Sequence, residues 1–291
     1  MRVPAQLAAV AERLRCPICL QPLAPTQRSL ICPNGHTHDV ARQGYVTLRA
    51  PTGRPADGDD AGMIAARAAV QDAGHFEKLT AALVAAARAA GGSESSLILD
   101  VGAGTGHHLA GLLGAMPHAR GIALDASRDA ARRAARRHHR IAAVRGDVWQ
   151  QIPLGDATVD LALSVFAPRN GAELVRVVRP DGAVLVATPT SAHLHELAAL
   201  HTVRVDPSKL ERLRRRLTPA WCPTSVRRIT WTLELTRHDA EALVRMGPAA
   251  GHLKPDLERR LASLREPVLA TAAIELRTFR RASARSGWFG A

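Results

Sequence analysis

Three cysteines and a histidine near the start of the chain have the spacing of a metal site. Cys16-Pro-Ile-Cys19 is followed, after twelve intervening residues, by Cys32-Pro-Asn-Gly-His36. Three thiolates and one imidazole suit tetrahedral zinc, and a CxxC pair supplies two ligands from one tight turn. Four protein ligands leave no open position for water, so we expect a structural zinc ion. His38 is the alternative imidazole, and His36 is favoured because its shorter gap from Cys32 closes a turn more readily.

A glycine-rich segment, LILDVGAGTGHHL, has the residue types of a nucleotide-type ligand site. A short apolar run at residues 97–99 leads into an aspartate, three alternating glycines and the start of a helix. Glycines let a ligand approach the backbone closely, and the first helical turn offers free N–H groups. The GxGxG spacing departs from the GxGxxG loop of dinucleotide-binding folds. The residues expected to contact the ligand are Asp100, Gly102, Gly104, Gly106 and His107.

Two further carboxylates follow strand-like segments downstream of this loop. Asp125 ends the segment that begins at Gly121, about 20 residues after the loop, where a carboxylate can accept hydrogen bonds from ribose hydroxyls. Asp147 and Val148 follow the segment at residues 141–144, and an acidic residue there can receive an adenine amino group. The set favours a cofactor that contains adenosine, and a doubly wound fold with some other nucleotide is the alternative.

Apolar runs alternate with helical stretches from residue 63 onwards. Residues 63–90 have helical spacing that is interrupted at Gly74. Short apolar runs then follow at residues 97–101, 121–124, 141–144, 159–165 and 183–187. Strands that alternate with helices predict an α/β fold, a parallel sheet with helices on both faces. The segment at 50–62 is dense in Pro, Gly and Asp, which is typical of a linker. We therefore expect a metal-binding module over 1–50, a linker and helices over 51–92, and a main domain over 93–291.

Charge and hydropathy limit the classes of partner that the protein is expected to bind. The 291 residues include 39 Lys or Arg and 26 Asp or Glu, a net charge of +13 that favours a polyanion such as nucleic acid. A GC-rich genome that inflates Ala, Arg and Gly gives the same excess. Basic runs at 132–140 and 209–216 are either solvated faces or phosphate contacts. The chain has no apolar run of membrane-spanning length and no signal-peptide core, so we expect a cytoplasmic protein without a membrane partner.

Several local segments, taken together with the two sites, resemble one family. They are CPICLQPL, CPNGH followed by DVARQGYVTL, DDAGMIAARAAVQDAGHF, the glycine loop, SVFAPRN, VVRPDGAVLVATP and HLHEL. The order of parts is similar to that of the 23S ribosomal RNA guanine-N1 methyltransferases, and it looks most like the actinomycete branch that includes tylosin-resistance enzymes. One departure is at residues 249–252, where related sequences tend to have an aromatic residue that can stack on a base.

The resemblance implies a class I, Rossmann-like methyltransferase fold with a small N-terminal zinc-ribbon-like module that recognises RNA. It implies S-adenosylmethionine as the methyl donor, held by Asp100, Asp125 and Asp147 with the glycine loop, and a structural Zn²⁺. The implied substrate is N1 of a guanine in a domain II hairpin of 23S rRNA, beside the peptide exit tunnel, with macrolide resistance as one outcome. The resemblance is also compatible with a homodimer that binds one RNA.

Two loops at the carboxyl ends of predicted strands are the candidates for binding and activating the base. In the loop at 164–170, Phe166 can stack on a base, Pro168 stiffens the loop and Asn170 can hydrogen-bond a base; core packing is the alternative for Phe166. Guanine N1 carries a proton that must leave as the methyl group arrives, and His193 and Glu196 are the candidate acceptors. A histidine that only packs or caps a helix is the alternative, because positioning alone can supply much of the acceleration.

Two other functions remain open at this point. One is a small-molecule methyltransferase of a biosynthetic cluster, whose activity would be indifferent to ribosomal RNA and to salt. An RNA substrate instead predicts affinity that falls steeply with salt. The other is a non-enzymatic zinc module with an inert Rossmann-like partner. The intact glycines and both downstream carboxylates argue against the inert protein.

Overall fold

Two sheets organise the chain in the computed structural model, which describes residues 2–50, 58–200, 220–247, 250 and 255–282. The basic run at 209–216 and residues 249, 251 and 252 lie outside these ranges. The strands are β1 (Ala24–Pro25), β2 (Ser29–Ile31), β3 (Thr37–Asp39), β4 (Tyr45–Thr47), β5 (Leu97–Val101), β6 (Arg120–Asp125), β7 (Ile141–Arg145), β8 (Val159–Val165), β9 (Val178–Pro189), β10 (Trp221–Leu235) and β11 (Val268–Arg281). Within the described ranges, no helix is long and apolar enough to span a membrane.

The large sheet has the strand order β10-β11-β9-β8-β5-β6-β7-β4. Strands β4 to β9 pair in parallel, whereas β10 and β11 form a long antiparallel hairpin that joins β9. The central strands are buried along almost their whole length, as expected for parallel strands covered on both faces. The predicted α/β class is confirmed, and the hairpin β10–β11 is an addition that the sequence analysis did not place.

The helices are α1 (Ala5–Ala8), α2 (Ala61–Asp72), α3 (Glu77–Ala89), α4 (His107–Ala115), α5 (Arg128–Arg137), α6 (Gly171–Val177), α7 (Arg237–Arg245) and α8 (Leu257–Ser263). Asp60 caps α2 by accepting a hydrogen bond from the Met63 N–H at 2.9 Å. Gly74 has φ +82° in the turn between α2 and α3, which explains the break in helical spacing. Helices α3, α4, α5, α7 and α8 contribute to the core on one face of the sheet.

The N-terminal module covers the opposite face of the large sheet. Strands β1, β2 and β3 form a small antiparallel sheet, and apolar residues of the module share a core with the large sheet. Leu14, for example, is fully buried in the cluster that contains Leu99 and Ile122. Backbone hydrogen bonds run from the Arg15 N–H to the Pro153 carbonyl and from the Gly155 N–H to the Arg13 carbonyl. Helix α6 also packs on this face through Leu174 and Val177, so the module occupies only part of the place that helices were expected to fill.

Strand β4 belongs to the large sheet, although the sequence analysis grouped it with the module. Tyr45, Val46 and Thr47 pair in parallel with Ala143, Val144 and Arg145 of β7. A three-residue strand needs backbone partners, and the free edge of β7 supplies them. The proposed boundary near residue 50 thus falls after a strand that is already part of the main sheet.

Candidate functional site

The candidate cofactor site lies where the strand order reverses. From β5 the chain builds the sheet outward through β6 and β7, then returns to add β8 on the other side of β5. In open α/β sheets, ligands bind at such a switch point, outside the carboxyl ends of the strands. The loop after β5 contains the three glycines, and the loop after β8 contains Ala167 and Pro168. These two loops meet at the switch point.

Gly102 allows this meeting. A Cβ atom added at Gly102 would lie 2.5 Å from the Cβ of Ala167, and the backbone φ of +68° also favours glycine. The GxGxG spacing predicted that this glycine makes room for a ligand. In the structure, the space beside it is taken by the loop after β8, so Gly102 brings the cofactor loop and the candidate substrate loop together.

Asp125, at the end of β6, is tied to the glycine loop. Its two carboxylate oxygens accept hydrogen bonds from the backbone N–H groups of Gly104 and Ser127, each at 2.8 Å. Burial raises the pKa of this carboxyl, and the two N–H donors partly offset the rise. Each oxygen of a carboxylate keeps a second lone pair. Asp125 is therefore held in place with acceptor capacity left for ribose hydroxyls.

Asp100 is a buried carboxyl group with no cationic partner among the described residues. It is 3% exposed, and its Oδ1 has no hydrogen-bond partner. Burial, with a smaller contribution from Asp125, raises the pKa of Asp100 to about 8. An ionised carboxylate in such a place is costly unless a cation pairs with it. S-adenosylmethionine has a cationic sulfonium and an ammonium group, so the residues present fit this cofactor.

Asp147 and Val148 border the same edge one strand further on. The Gly146 N–H donates to the Asp125 backbone carbonyl at 2.9 Å, which brings the ends of β6 and β7 together. Asp147 is buried, and one of its carboxylate oxygens accepts from the Trp149 N–H at 2.9 Å. Val148 is buried beside it. This pair offers an acceptor and an apolar wall of the kind that an adenine ring requires.

The side chain of His107 has other partners. Arg137 donates to His107 Nδ1 at 2.8 Å and also binds Asp72 at 2.5 Å. Burial and the neighbouring Arg137 lower the pKa of His107. The ring therefore links α4 to α5 and α2, and only the backbone of His107 stands at the start of α4 beside the glycine loop.

Residues of α2 cover the glycine loop, and the sequence analysis assigned them no role. Arg67 binds Asp59 at 2.5 Å and the Met246 carbonyl at 2.9 Å, and its Nη1 would lie 3.2 Å from a Cβ on Gly104. One turn later, Gln71 accepts a hydrogen bond from the Thr105 hydroxyl at 2.5 Å. The sequence feature that could have identified them is the four-residue spacing of Arg67 and Gln71, which places both side chains on one helix face.

The candidate substrate loop presents one exposed aromatic ring. Phe166 is 41% exposed, has a backbone φ of +55°, and stacks on His193 with 5.6 Å between ring centroids. Phe76 packs edge-on against Phe166 at 6.3 Å, and Trp231 packs edge-on against Phe76 at 6.1 Å. Pro168 is also exposed. Phe166 is therefore held by other rings while much of its surface remains open.

Two other residues of this loop have structural partners. Asn170 caps α6, because its side-chain oxygen accepts from the Glu173 N–H at 3.3 Å. Arg169, which the sequence analysis passed over, is 2% exposed and donates from Nε to the Ser164 hydroxyl at 3.1 Å. Burial lowers the pKa of Arg169 to about 10, so it keeps its charge at neutral pH.

The two candidate proton acceptors are both occupied by β11. Glu196 accepts from the Thr271 N–H at 3.0 Å and from the Thr271 hydroxyl at 2.5 Å. Burial raises the pKa of Glu196, but the hydrogen bonds from Thr271 outweigh burial and lower it overall. The Ala273 N–H donates to His193 Nδ1 at 3.2 Å. The single lone pair of His193 Nδ1 is therefore taken, whereas each Glu196 oxygen is held by Thr271 and keeps a second lone pair.

The structure brings the four predicted metal ligands together. The ligand atoms of Cys16, Cys19, Cys32 and His36 all lie within 4.8 Å of one another, and the Sγ atoms of Cys19 and Cys32 are 3.5 Å apart. Tetrahedral zinc with Zn–S bonds of about 2.3 Å separates its sulfurs by about 3.8 Å, so the cluster fits a zinc ion. His38 falls outside the set and places its Nε2 3.4 Å from Cys16 Sγ. This geometry favours His36 as the fourth ligand.

Comparisons with known proteins support both the zinc module and the methyltransferase domain. Residues 14–49 match the zinc-ribbon family model described as "RlmA, N-terminal", and residues 98–182 match a "Methyltransferase domain". A Micromonospora griseorubida protein, "Putative 23S rRNA (guanine-N(1)-)-methyltransferase", is 50% identical over 287 residues, which cover 92% of this chain and 97% of that protein. The "23S rRNA (guanine(748)-N(1))-methyltransferase" of Streptomyces fradiae is 47% identical over 259 residues, 88% of this chain and 92% of that protein.

Replacing a zinc ligand should empty the metal site. Cys32→Ser removes one thiolate from the cluster, whereas Cys222→Ser replaces an exposed cysteine on β10 that lies outside it. By atomic emission, the wild type and Cys222→Ser should hold about one zinc ion per chain, and Cys32→Ser close to none. Equal zinc in the two variants would contradict the assignment.

Replacing Asp125 should abolish donor binding. Asp125→Ala removes the ribose acceptors and releases the Gly104 N–H, and we expect calorimetry to show an affinity for S-adenosylmethionine at least about 100-fold weaker. Asp181→Ala is the control, because this exposed carboxylate pairs with Arg179 at 3.5 Å and with no other residue in the described part of the chain. Asp181→Ala should bind like the wild type. An unchanged affinity in Asp125→Ala would refute the assignment.

Proposed function

Because the chain belongs to the 23S rRNA (guanine-N1)-methyltransferase family, we propose that it transfers a methyl group from S-adenosylmethionine to N1 of a guanine in 23S rRNA. The observation that carries the methyl-transfer part is Asp100, a buried carboxyl with an unpaired oxygen at the switch point. The identity to two relatives over about nine-tenths of the chain supports the RNA part.

In this proposal the donor site is divided among three strand ends. Asp100, near the end of β5, faces the positive charge of the donor, Asp125 holds the ribose hydroxyls, and Asp147 with Val148 contacts the adenine. Gly102, Gly104 and Gly106 border the amino-acid portion. When bound, S-adenosylmethionine supplies a methyl group on a sulfonium that leaves as a neutral thioether. The chain therefore needs no acid at the leaving group, and its task is to position the base and exclude water.

The target base has to leave its stack before its N1 can reach the donor. Enzymes that modify a base commonly hold it against aromatic side chains. Phe166 offers an open ring face beside the glycine loop, and Pro168 limits the movement of that loop. Asn170 uses its oxygen to cap α6 but keeps an amide N–H₂ that can donate to a base.

The basic run at 132–140, on α5 and just after it, divides into structural and exposed arginines. Arg140 donates to the carbonyls of Leu113, Met116 and Ala119, and so caps the end of α4. Arg133 and Arg136 are exposed. On the module, Arg28 and Arg42 are exposed as well. We assign phosphate contacts to these four exposed arginines, since phosphate neutralisation provides most of the affinity for RNA.

The target nucleotide follows from the relatives as a further part of the proposal. The S. fradiae relative is named for guanine 748, and we propose the equivalent guanine here. A methyl group beside the peptide exit tunnel would interfere with macrolide binding, so resistance is the expected phenotype. With a ribosomal substrate, we expect the enzyme to act in the cytoplasm. A homodimer on one RNA stays a prediction.

Primer extension on ribosomal RNA tests the proposal. A methyl group on N1 blocks base pairing, so reverse transcription should stop next to guanine 748 in cells that express the gene. The stop should be absent without the gene and with Asp125→Ala, and it should persist with Asp181→Ala. Macrolide susceptibility of the same strains tests the phenotype. If no stop anywhere in 23S rRNA depends on the gene, the RNA proposal fails and a small-molecule substrate becomes the better explanation.

A further inference from the structure

The hydrogen bonds of His193 fix the position of its ring proton. The Ala273 N–H points at Nδ1 from 3.2 Å. A backbone N–H can only donate, so Nδ1 must carry its lone pair. This excludes the imidazolium and the Nδ1–H tautomer, and it leaves the proton on Nε2. Burial lowers the pKa of His193 to about 4, which agrees with a neutral ring at pH 7.

This tautomer changes the role open to His193. A neutral ring with a proton on Nε2 and an occupied Nδ1 has no lone pair for a substrate proton. His193 was a candidate acceptor of the guanine N1 proton, and the hydrogen bond from Ala273 does not favour that role. What the ring offers instead is one N–H donor. No described residue accepts a hydrogen bond from it.

The donor lies at the substrate side of the site. The ring of His193 stacks on Phe166 at an interplanar angle of 27° and lies 6.4 Å from the ring of Phe76. Phe166 directly precedes Ala167, which contacts Gly102 of the cofactor loop. His193 covers one face of Phe166, so a base that lies against the exposed part of Phe166 alongside the imidazole ring would have the N–H at its edge and the methyl donor nearby.

Guanine chemistry gives that N–H a function. As the N1–H bond breaks, its electron pair spreads onto O6, and the proton passes to a water molecule. The N1 lone pair then forms the new C–N bond while the methyl–sulfur bond breaks and leaves its electron pair on sulfur. A donor aimed at O6 stabilises the charge that develops there, in the manner of an oxyanion hole.

We propose that His193 donates a hydrogen bond from Nε2–H to O6 of the target guanine, which selects guanine and promotes loss of the N1 proton. This inference rests on the proposed function. Adenine has an amino group where guanine has O6, so it would set two donors against each other. The single ring N–H thus discriminates between the purines and also assists the reaction.

Single-turnover methylation of an RNA hairpin tests this role. The variants are His193→Ala, which removes the donor, His193→Gln, whose amide can accept from Ala273 and still donate to O6, and His195→Ala, an exposed neighbouring histidine, as control. We expect His193→Ala to be about 10- to 100-fold slower at pH 7, and the other two to stay within a few-fold of the wild type. Raising the pH should restore His193→Ala more than the wild type, because deprotonated guanine then forms without help.

Replacing O6 by sulfur separates a direct contact from a structural effect. When 6-thioguanosine replaces guanosine at the target, the methylation rate should fall for the wild type by a larger factor than for His193→Ala. The reason is that sulfur is a weak hydrogen-bond acceptor. Equal factors would overturn the inference, as would a wild-type rate in His193→Ala. Calorimetric binding of S-adenosylmethionine checks that each variant is folded.

A spectroscopic measurement that does not depend on catalysis completes the test. The ring nitrogen shifts of His193 in labelled protein should place the proton on Nε2 and show a neutral ring at pH 7. A doubly protonated ring at pH 7 would overturn the inference while the proposed function stands. A wild-type enzyme that methylates no guanine in 23S rRNA would overturn both, and the two failures are therefore distinguishable.

Discussion

Two carboxyl groups buried near each other at the carboxyl edge of a parallel sheet impose the main energetic constraint on this fold. Asp125 is compensated by two backbone N–H groups, and Arg67 with Asp59 stands close by. Asp100 has no such donors in the described part of the chain, and burial therefore raises its pKa to about 8. The strand order, the left-handed glycines and the cover of α2 all serve to hold these groups in one place. A cation bound beside Asp100 would provide the compensation that Asp125 receives from the backbone.

The zinc module matters to this site because it is part of the same packing. A module of about 50 residues cannot bury enough apolar surface to be stable alone, and a metal site commonly makes up the difference. Here the cysteine cluster fixes two turns, and the residues between them share a core with the central strands. The orientation of the module relative to the donor site is therefore set by side-chain packing. Exposed arginines on the module and on α5 keep fixed positions relative to Phe166.

Local patterns predicted the parts of the site that depend on local structure. The glycine spacing, the carboxylates at strand ends and the CxxC pair each follow from a few neighbouring residues. The pairing of β4 with β7 depends on residues about 100 positions apart, and the hairpin β10–β11 on strands about 50 apart, so neither had a local signal. The same holds for His193, since the partner that determines its tautomer, Ala273, lies on a distant strand.

The central claim is that Asp100 receives the positive charge of the methyl donor. In the free protein its pKa of about 8 leaves the carboxyl mostly protonated at pH 7, and a bound cation would lower that pKa. Calorimetry of S-adenosylmethionine binding at pH 7, in buffers of different ionisation enthalpy, measures the protons released. We expect up to about one proton per site in the wild type, a release that fades as the pH rises above 8, and none attributable to this group in Asp100→Asn. A heat of binding that is the same in all buffers at pH 7, or an unchanged release in Asp100→Asn, would contradict the claim.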